Sequence, residues 1–217
     1  IDIQYDFSQK ISFLYVISHN DALKQHSVII YKILEQNLVF QTELKSPLLV
    51  SPNDLGVGTK TGTFYIVNDS KKRNNLWEKL WAKRTSNVLY FDGTLFKEVA
   101  SKIAYGNSAF VHQDQLYVSA TQRKELLNYT ILNTGGLTAP KNILKVKGLD
   151  NLMYDAHSNT LLVTAHTKPI AFLKHVKNKT KKSPSKIYGI DLTTQNTHLL
   201  LEEDGSSMSA ISTALIY

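Results

Sequence analysis

Polar side chains with oxygen donors recur at one phase of a repeating β pattern. Asn53, Asn107 and Asn151 each lie 10 to 12 residues before the centre of an apolar segment, and Asp150 directly precedes the last of them. Calcium takes about 6 to 8 oxygen ligands, and carboxamide and carboxylate oxygens are among those it prefers. Asn and Asp also begin strands as turn residues that bond their own backbone. Because three successive repeats share the phase, the pattern favours a metal site, and the turn role stays open as the alternative.

A second polar set directly follows the same apolar segments. Its members are Ser18-His19, Asn68-Asp69, Ala120-Thr121 and Ala165-His166. A lone histidine is more often a structural hydrogen-bonding residue than a general base. His19 and His166 become candidates for chemistry because both occupy the same phase of the repeat.

The elements that must position these side chains are repeats of about fifty residues. The segments centre on Tyr15, Tyr65, Tyr117, Leu162 and Ile216, with spacings of 50, 52, 45 and 54 residues. This period is slightly above the roughly 40 to 50 residues of a four-stranded β-propeller blade. Each centre is therefore predicted to lie in the second strand of a blade. The polar residues before it would then begin the first strand, which lines a central channel.

Hairpin signals fill the rest of each period. Ser27–Ile33 and Leu38–Thr42 flank a short polar turn, which is typical of paired strands. Asp92-Gly93 joins Asn87–Phe91 to Leu95–Val99, and this dipeptide is the strongest short signal for a hairpin. Each repeat is predicted to hold two strand pairs.

One stretch breaks the strand pattern. Leu76 and Leu80, and likewise Trp77 and Trp81, recur at a spacing of four, which predicts a short helix near residues 74–83 with an apolar face. Two roles are open for it. The helix either packs over one face of the propeller or acts as a lid that contacts substrate or membrane.

The net charge of +7 is concentrated in two short runs. These runs are Lys71–Arg73 and Lys174–Lys186, and no aromatic residue is interleaved in the second. We interpret the second run as a solvated loop, with contact to an anionic surface or a nucleic acid as the alternative, and expect no nucleic-acid partner. The absence of cysteine excludes disulfides, thiolate metal sites and a cysteine nucleophile.

In order and spacing, these segments resemble the paraoxonase/arylesterase family of gluconolactonase-like six-bladed β-propellers. The resemblance covers almost the whole chain. It rests on Leu14–His19, Asn53-Asp54 with Phe64–Asp69, the Trp-containing helix, Asn87–Phe91, Gly106-Asn107, Leu149–Leu152 and Leu162–His166. The implied fold is an all-β six-bladed propeller, of which this chain would supply about four blades.

The resemblance also implies two calcium ions in a central tunnel and the hydrolysis of lactones or aryl esters. The residues implied as metal ligands are Asn53, Asn107, Asp150 and Asn151 for a catalytic ion and Asp54 for a structural one. His19 is similar in position to the second histidine of the family's proposed water-activating dyad. His166 resembles a further histidine of the substrate pocket. The catalytic ion would polarise the substrate carbonyl and stabilise its oxyanion.

Two features depart from the family's pattern. Ser108-Ala109 follow Asn107 where the family usually has Gly-Ile, and the basic run Lys174–Lys186 is longer than usual. A six-bladed propeller of this period needs roughly 300 residues or more. We therefore expect residues 1–217 to form a single partial propeller domain, with the N-terminal blade and the last strands supplied by another chain or segment.

Other functions suit the same pattern. One is a non-catalytic propeller that binds partners or acts as a scaffold around a structural calcium. Another is a propeller enzyme of different chemistry, such as a sugar lactonase with another divalent metal or a strictosidine-synthase-like lyase. For the hydrolase, the expected partner is a small lactone or ester, with association at a membrane surface left open. The resemblance suggests a secreted, periplasmic or membrane-associated protein.

Overall fold

The computed structural model describes residues 1–20, 22–23, 25–71 and 83–216. Contacts between residues divide the chain into two compact units. The first unit comprises residues 1–117 and 129–140, and the second comprises residues 118–128 and 141–217. The helix predicted near residues 74–83 lies outside the described residues.

Within the described ranges, the strands form four sheets of four strands each. The first sheet holds β1 (Asp2–Asp6), β2 (Ile11–Asn20), β3 (Gln25–Ile33) and β4 (Leu38–Lys45). The second holds β5 (Pro52–Val57), β6 (Phe64–Asn68), β7 (Ser86–Phe91) and β8 (Phe96–Ile103). The third holds β9 (Gly106–His112), β10 (Gln115–Ala120), β11 (Glu125–Thr130) and β12 (Lys141–Leu144). The fourth holds β13 (Leu149–Asp155), β14 (Thr160–Ala165), β15 (Ser185–Asp191) and β16 (Thr197–Glu203).

Strand order in each sheet follows the order of the chain, which is the meander of a propeller blade. The predicted fold class is thereby confirmed at the level of the blade. Four predicted segment centres, Tyr15, Tyr65, Tyr117 and Leu162, lie in the second strands and are at most 3% exposed. The expectation that another segment completes the propeller stays a prediction.

The fifth predicted segment is wrong as a strand. Residues 211–216 have no regular structure. Their main chain forms hydrogen bonds with side chains instead of with a neighbouring strand. Ser212 O accepts hydrogen bonds from Thr164 Oγ1 at 2.9 Å and from Asn151 Nδ2 at 3.0 Å. Ile216, predicted as its centre, is 48% exposed.

The core of the first unit is built from the inner faces of its sheets. The Phe64 ring is fully buried and stacks on Phe91, with ring centroids 5.0 Å apart. Tyr15 and Leu55 belong to the same buried cluster. Burial of one such side chain stabilises the fold by about 1.5–3 kcal/mol, so these contacts hold the β5 and β6 backbone in place.

A helix, α1 (Pro169–Lys177), connects β14 to β15. The interpretation of Lys174–Lys186 as a loop is therefore wrong for its first turn, because α1 continues to Lys177. Proline at the start of a helix and cationic side chains in the last turn both favour the helical state, and α1 has both. Among the described residues, no helix is long and apolar enough to cross a bilayer.

Candidate functional site

The predicted ligands on β5 and β13 lie at β-bulges. On β5 the pairing with β6 shifts register at Asn53, and on β13 the pairing with β14 shifts over Asp150 and Asn151. A bulge places an extra residue in one strand and re-aims its side chain, and bulges are over-represented beside active sites. The backbone therefore departs from regular strand at the positions where the sequence predicts chemistry.

One main-chain hydrogen bond repeats beside both bulges. Asp69 N donates to Ser51 O at 2.9 Å, and His166 N donates to Gly148 O at 2.7 Å. In each case the residue after the second strand is bonded to the residue before the first strand. The two polar sets recognised in the sequence therefore adjoin each other within these sheets.

Gly148 leaves no room for a side chain beside His166. Its φ is +77°, and an added Cβ would overlap the carbonyl group of His166. We expect Gly148→Ala to lower the free energy of unfolding by at least about 1–3 kcal/mol, since backbone strain and a steric clash act together. Urea unfolding followed by circular dichroism measures this change.

Gly93→Ala is the matched control for that experiment. Gly93 has φ +98°, but no heavy atom lies within 4 Å of an added Cβ, so only backbone strain remains. A Gly148→Ala protein no less stable than the Gly93→Ala protein would contradict the crowding at His166.

His166 and Asp150 form a buried pair in the second unit. His166 Nε2 lies 2.8 Å from Asp150 Oδ2, and their side chains are 5% and 14% exposed. A carboxylate only accepts hydrogen bonds, so Nε2 is the donor in this contact. When the imidazole is neutral, its lone pair is then at Nδ1, a buried atom without a hydrogen-bond partner among the described residues. An unpaired buried polar atom costs about 1–3 kcal/mol, which favours binding a donor there.

The ring of His166 is held on its face as well as at its edge. Phe172 of α1 stacks on it with ring centroids 4.0 Å apart and planes 18° from parallel. This aromatic contact fixes the plane of the imidazole and therefore the direction of its Nδ1 lone pair. Sequence reasoning missed Phe172, although its apolar type beside Pro169 in a basic stretch was a usable signal for a packed helix.

Side chains fix the main chain at the β13 bulge. Ser119 Oγ donates to Asp150 O at 2.7 Å, and Thr121 Oγ1 donates to Leu149 O at 2.8 Å. Asn151 Nδ2 donates to Ser212 O at 3.0 Å, so its carboxamide oxygen is the end of the side chain that can bind a cation.

The first unit contains the other predicted ligands. Asn53 is exposed, and Asn107 is half-buried at the second position of β9. Asp54 Oδ2 accepts hydrogen bonds from Ser108 Oγ and, at 3.1 Å, from Ala109 N. Burial raises the pKa of the Asp54 carboxyl in spite of these donors. The departure from the family's pattern at Ser108 therefore supplies the hydroxyl donor to Asp54, whereas the donor at Ala109 is main chain.

Asp2 is a half-buried carboxylate of this unit whose pKa responds to the charge of Asp54. Its Oδ2 accepts from Val57 N at 2.8 Å. Burial raises the pKa of Asp2, and the neighbouring Asp54 charge raises it further. The raised pKa values of Asp2 and Asp54 thus share burial as their largest cause, and the charge of Asp54 adds to the shift of Asp2.

Asp54→Asn is expected to stabilise the protein at pH 7 in a chelator. A native pKa raised above the unfolded value means that stability is lost as pH rises through the native pKa, and the variant avoids that loss. Below the ordinary pKa of 3.8 the two proteins should be equally stable. Urea midpoints at both pH values, with chelator and with excess calcium, measure the effect. If Asp54 binds calcium, excess calcium should reverse the order at pH 7.

The control is Asp155→Asn, because the pKa of the Asp155 carboxyl is lowered, whereas that of Asp54 is raised. Hydrogen bonds from Ser158 lower the pKa of Asp155. Replacing the Asp155 carboxylate with an amide should therefore destabilise the protein at pH 7, with or without calcium. If the wild type is more stable than Asp54→Asn in chelator at pH 7, burial of the charged Asp54 carboxylate does not destabilise the protein, and the prediction is wrong.

His19 is paired with a histidine to which the sequence analysis gave no role. His19 and His26 lie opposite each other on β2 and β3, and their Nδ1 atoms are 3.1 Å apart. His26 is 6% exposed, whereas His19 is exposed. Period-two alternation in β2 and β3 does not reveal this pair, because it depends on the register between the strands.

The donor set suits calcium better than a softer metal. Among the described residues, no group of three or more His, Asp or Glu side chains is placed to hold a metal ion. The predicted ligands are instead three carboxamides and two carboxylates, which are hard oxygen donors of the kind that calcium takes. These residues fit the ion implied by the resemblance in their chemistry.

Comparisons with solved structures agree with the blade architecture. A nidogen/laminin complex matches with TM-score 0.60 and 9% identity over 88% of this chain and 62% of the other. Regucalcin from Agrobacterium tumefaciens str. C58 matches with TM-score 0.51 and 14% identity, over 86% of this chain and 58% of the other. A luciferin-regenerating enzyme matches with TM-score 0.53 and 13% identity, over 93% and 68%. These likenesses show a propeller fold.

Sequence comparison identifies the family. Human serum paraoxonase/lactonase 3 is 26% identical over 168 residues, which are 75% of this chain and 47% of that protein. The chain thus spans about half the length of this relative. The family model described as Arylesterase matches residues 1–217. The chain therefore belongs to the arylesterase family.

Proposed function

We propose that this protein hydrolyses lactones or aryl esters with calcium, and that His166 accepts a proton from the attacking water. The observation that carries the proposal is the buried Asp150–His166 pair at a strand bulge, in a chain of the arylesterase family. The name of the human relative, paraoxonase/lactonase, supports the substrate class.

The contacts of His166 support the protonation states that this proposal requires. With its Nε2 proton bonded to Asp150, the neutral His166 ring can accept a proton at Nδ1. As the ring becomes cationic, the Asp150 carboxylate stabilises it, in the manner of the acid of a catalytic triad. Phe172 holds the ring plane through both steps.

In the second unit, oxygens of Asp150 and Asn151 would hold calcium, which would supply a Lewis acid for the substrate carbonyl. Asn53 and Asn107 of the first unit are the other ligands that the resemblance implies. Asp150 then has two proposed tasks: its Oδ2 contacts His166, and its carboxylate is a hard oxygen donor of the kind that calcium takes. Asp54 is proposed as a ligand of a second, structural ion. The exposed His19, paired with His26, is a second candidate proton acceptor.

A substrate panel with metal control tests the proposal. The purified protein is assayed on γ- and δ-lactones, a sugar lactone and phenyl acetate, after chelation and after return of calcium or another divalent metal. We expect hydrolysis of a simple lactone or phenyl acetate that is lost on chelation and restored by calcium.

Other outcomes would overturn the proposal. Calcium binding without turnover of any substrate would indicate a binding or scaffold module. Restoration by another metal, with the sugar lactone alone as substrate, would indicate a sugar lactonase.

A further inference from the structure

Helix α1 presents an apolar surface to solvent. Ile170, Leu173 and Val176 are 72%, 50% and 52% exposed, and no residue of the helix is buried. Their spacing of three places them along one side of the helix, whereas the Phe172 ring contacts His166. A short helix that exposes three large aliphatic side chains has a surface suited to an apolar environment.

The surroundings of this apolar surface are strongly cationic. Residues 168–186 contain seven lysines and no acidic residue. Among the described residues, Lys186 is the one member of this set with an ion pair, to Glu202 at 2.9 Å. Lys168, Lys174, Lys177, Lys179, Lys181 and Lys182 are the remaining cations. Lys182 interacts with the charge of Asp204, and the other five lysines offer their charge to an anionic partner.

We propose that α1 and residues 178–182, together the basic apolar segment, dock on an anionic phospholipid bilayer. Ile170, Leu173 and Val176 enter the boundary between headgroups and acyl chains. The lysine ammonium groups contact the lipid phosphates, and their aliphatic stems lie along the same boundary. A helix of nine residues lies in this interface, since it is too short to span the bilayer.

Charge and apolarity together favour a bilayer over a nucleic acid. A nucleic acid would neutralise the lysines but would leave the three aliphatic side chains in water. An anionic bilayer satisfies both features at once, because negative headgroups lie next to hydrocarbon. The proposal goes beyond the proposed hydrolase activity and does not depend on it.

Vesicle sedimentation tests the docking. The purified protein is mixed with phosphatidylcholine vesicles, with or without a minority of phosphatidylserine, and the pelleted fraction is measured at low and high salt. We expect binding to the phosphatidylserine vesicles that weakens at high salt. Protein that stays in the supernatant with both vesicles, or binds both equally, would overturn the proposal.

Two variants separate the apolar and cationic contributions. Replacement of Ile170, Leu173 and Val176 with serine should weaken binding roughly tenfold or more, since three buried aliphatic groups are lost. Replacement of Lys179 and Lys181 with glutamate should weaken binding and reduce its salt dependence.

The matched control is Leu38→Ser with Phe40→Ser on β4, two side chains that are 53% and 58% exposed outside the basic apolar segment. This control should bind vesicles like the wild type. Circular dichroism and urea unfolding verify that all variants fold.

The same variants exclude a protein interface. If the serine variant pellets with vesicles like the wild type, the proposal is overturned. It is also overturned if the wild type does not bind vesicles but self-associates in size-exclusion chromatography, and the serine variant does not self-associate. Lactone hydrolysis without vesicles is measured in parallel. Because the proposed hydrolysis uses no lipid group, a negative vesicle result with hydrolysis intact in the absence of vesicles contradicts the docking alone.

Discussion

His166→Gln should lower kcat/KM for lactone hydrolysis by about 10²–10⁴-fold, the usual contribution of a general base. Glutamine occupies a similar volume and can still donate to Asp150, but it cannot accept a proton at neutral pH. His166 is not among the predicted calcium ligands, so the calcium content should stay at the wild-type level. Steady-state kinetics and metal analysis of the same preparation measure both quantities.

His157→Gln is the control for this loss. His157 is exposed in the turn after β13, in the same unit as His166, and its replacement should leave kcat/KM unchanged. The acidic limb of the pH profile adds a second readout, because it should disappear in His166→Gln if His166 is the base. Wild-type kcat/KM in His166→Gln would exclude His166 and leave His19 as the candidate.

Asp150→Asn should reduce kcat/KM by up to about 10⁴-fold, and calcium affinity should fall as well. The new amide group can donate to Nε2, which would shift the imidazole proton to Nδ1 and remove the lone pair that accepts a proton from water. The variant also loses the negative charge that stabilises the cationic ring and attracts calcium. Kinetics over a calcium titration separate the two losses.

The calcium titration has two distinguishable results. If Asp150 serves both tasks, saturating calcium restores metal content but only part of the activity. If saturating calcium restores the full wild-type kcat/KM, the contact with His166 has no role in turnover. Asp155→Asn, at the last position of the same strand, should match the wild type in both measurements.

The sequence predicts the strands of the site because their signals are local. Each second strand has a run of apolar residues, and counting back from its centre locates Asn53, Asn107 and Asn151 at the starts of first strands. These placements are confirmed by the structure, whereas the roles of the residues stay predictions. The bulges could not be read from the same pattern, because a register shift depends on hydrogen bonds between two strands.

Long-range packing explains what the sequence left out. The stacking of Phe172 on His166 depends on the path of the chain after β14, and composition alone favoured a loop there. The pairing of His26 with His19 depends on the register of β2 and β3. The terminal segment around Ile216 has the composition of a strand, but its main chain accepts hydrogen bonds from the side chains of Asn151 and Thr164 instead of pairing with a strand.

The chain-order arrangement of strands has a consequence for folding. Each β-hairpin of a meander closes between neighbours in sequence, so little loop-closure entropy opposes its formation. Each sheet can then act as its own cooperative opening unit. Amide hydrogen exchange should be slowest in the buried strands β6, β10 and β14 and fastest in the exposed outer strands β4 and β16. Partial denaturation would release the outer strands first and leave the residues of β6, β10 and β14 protected the longest.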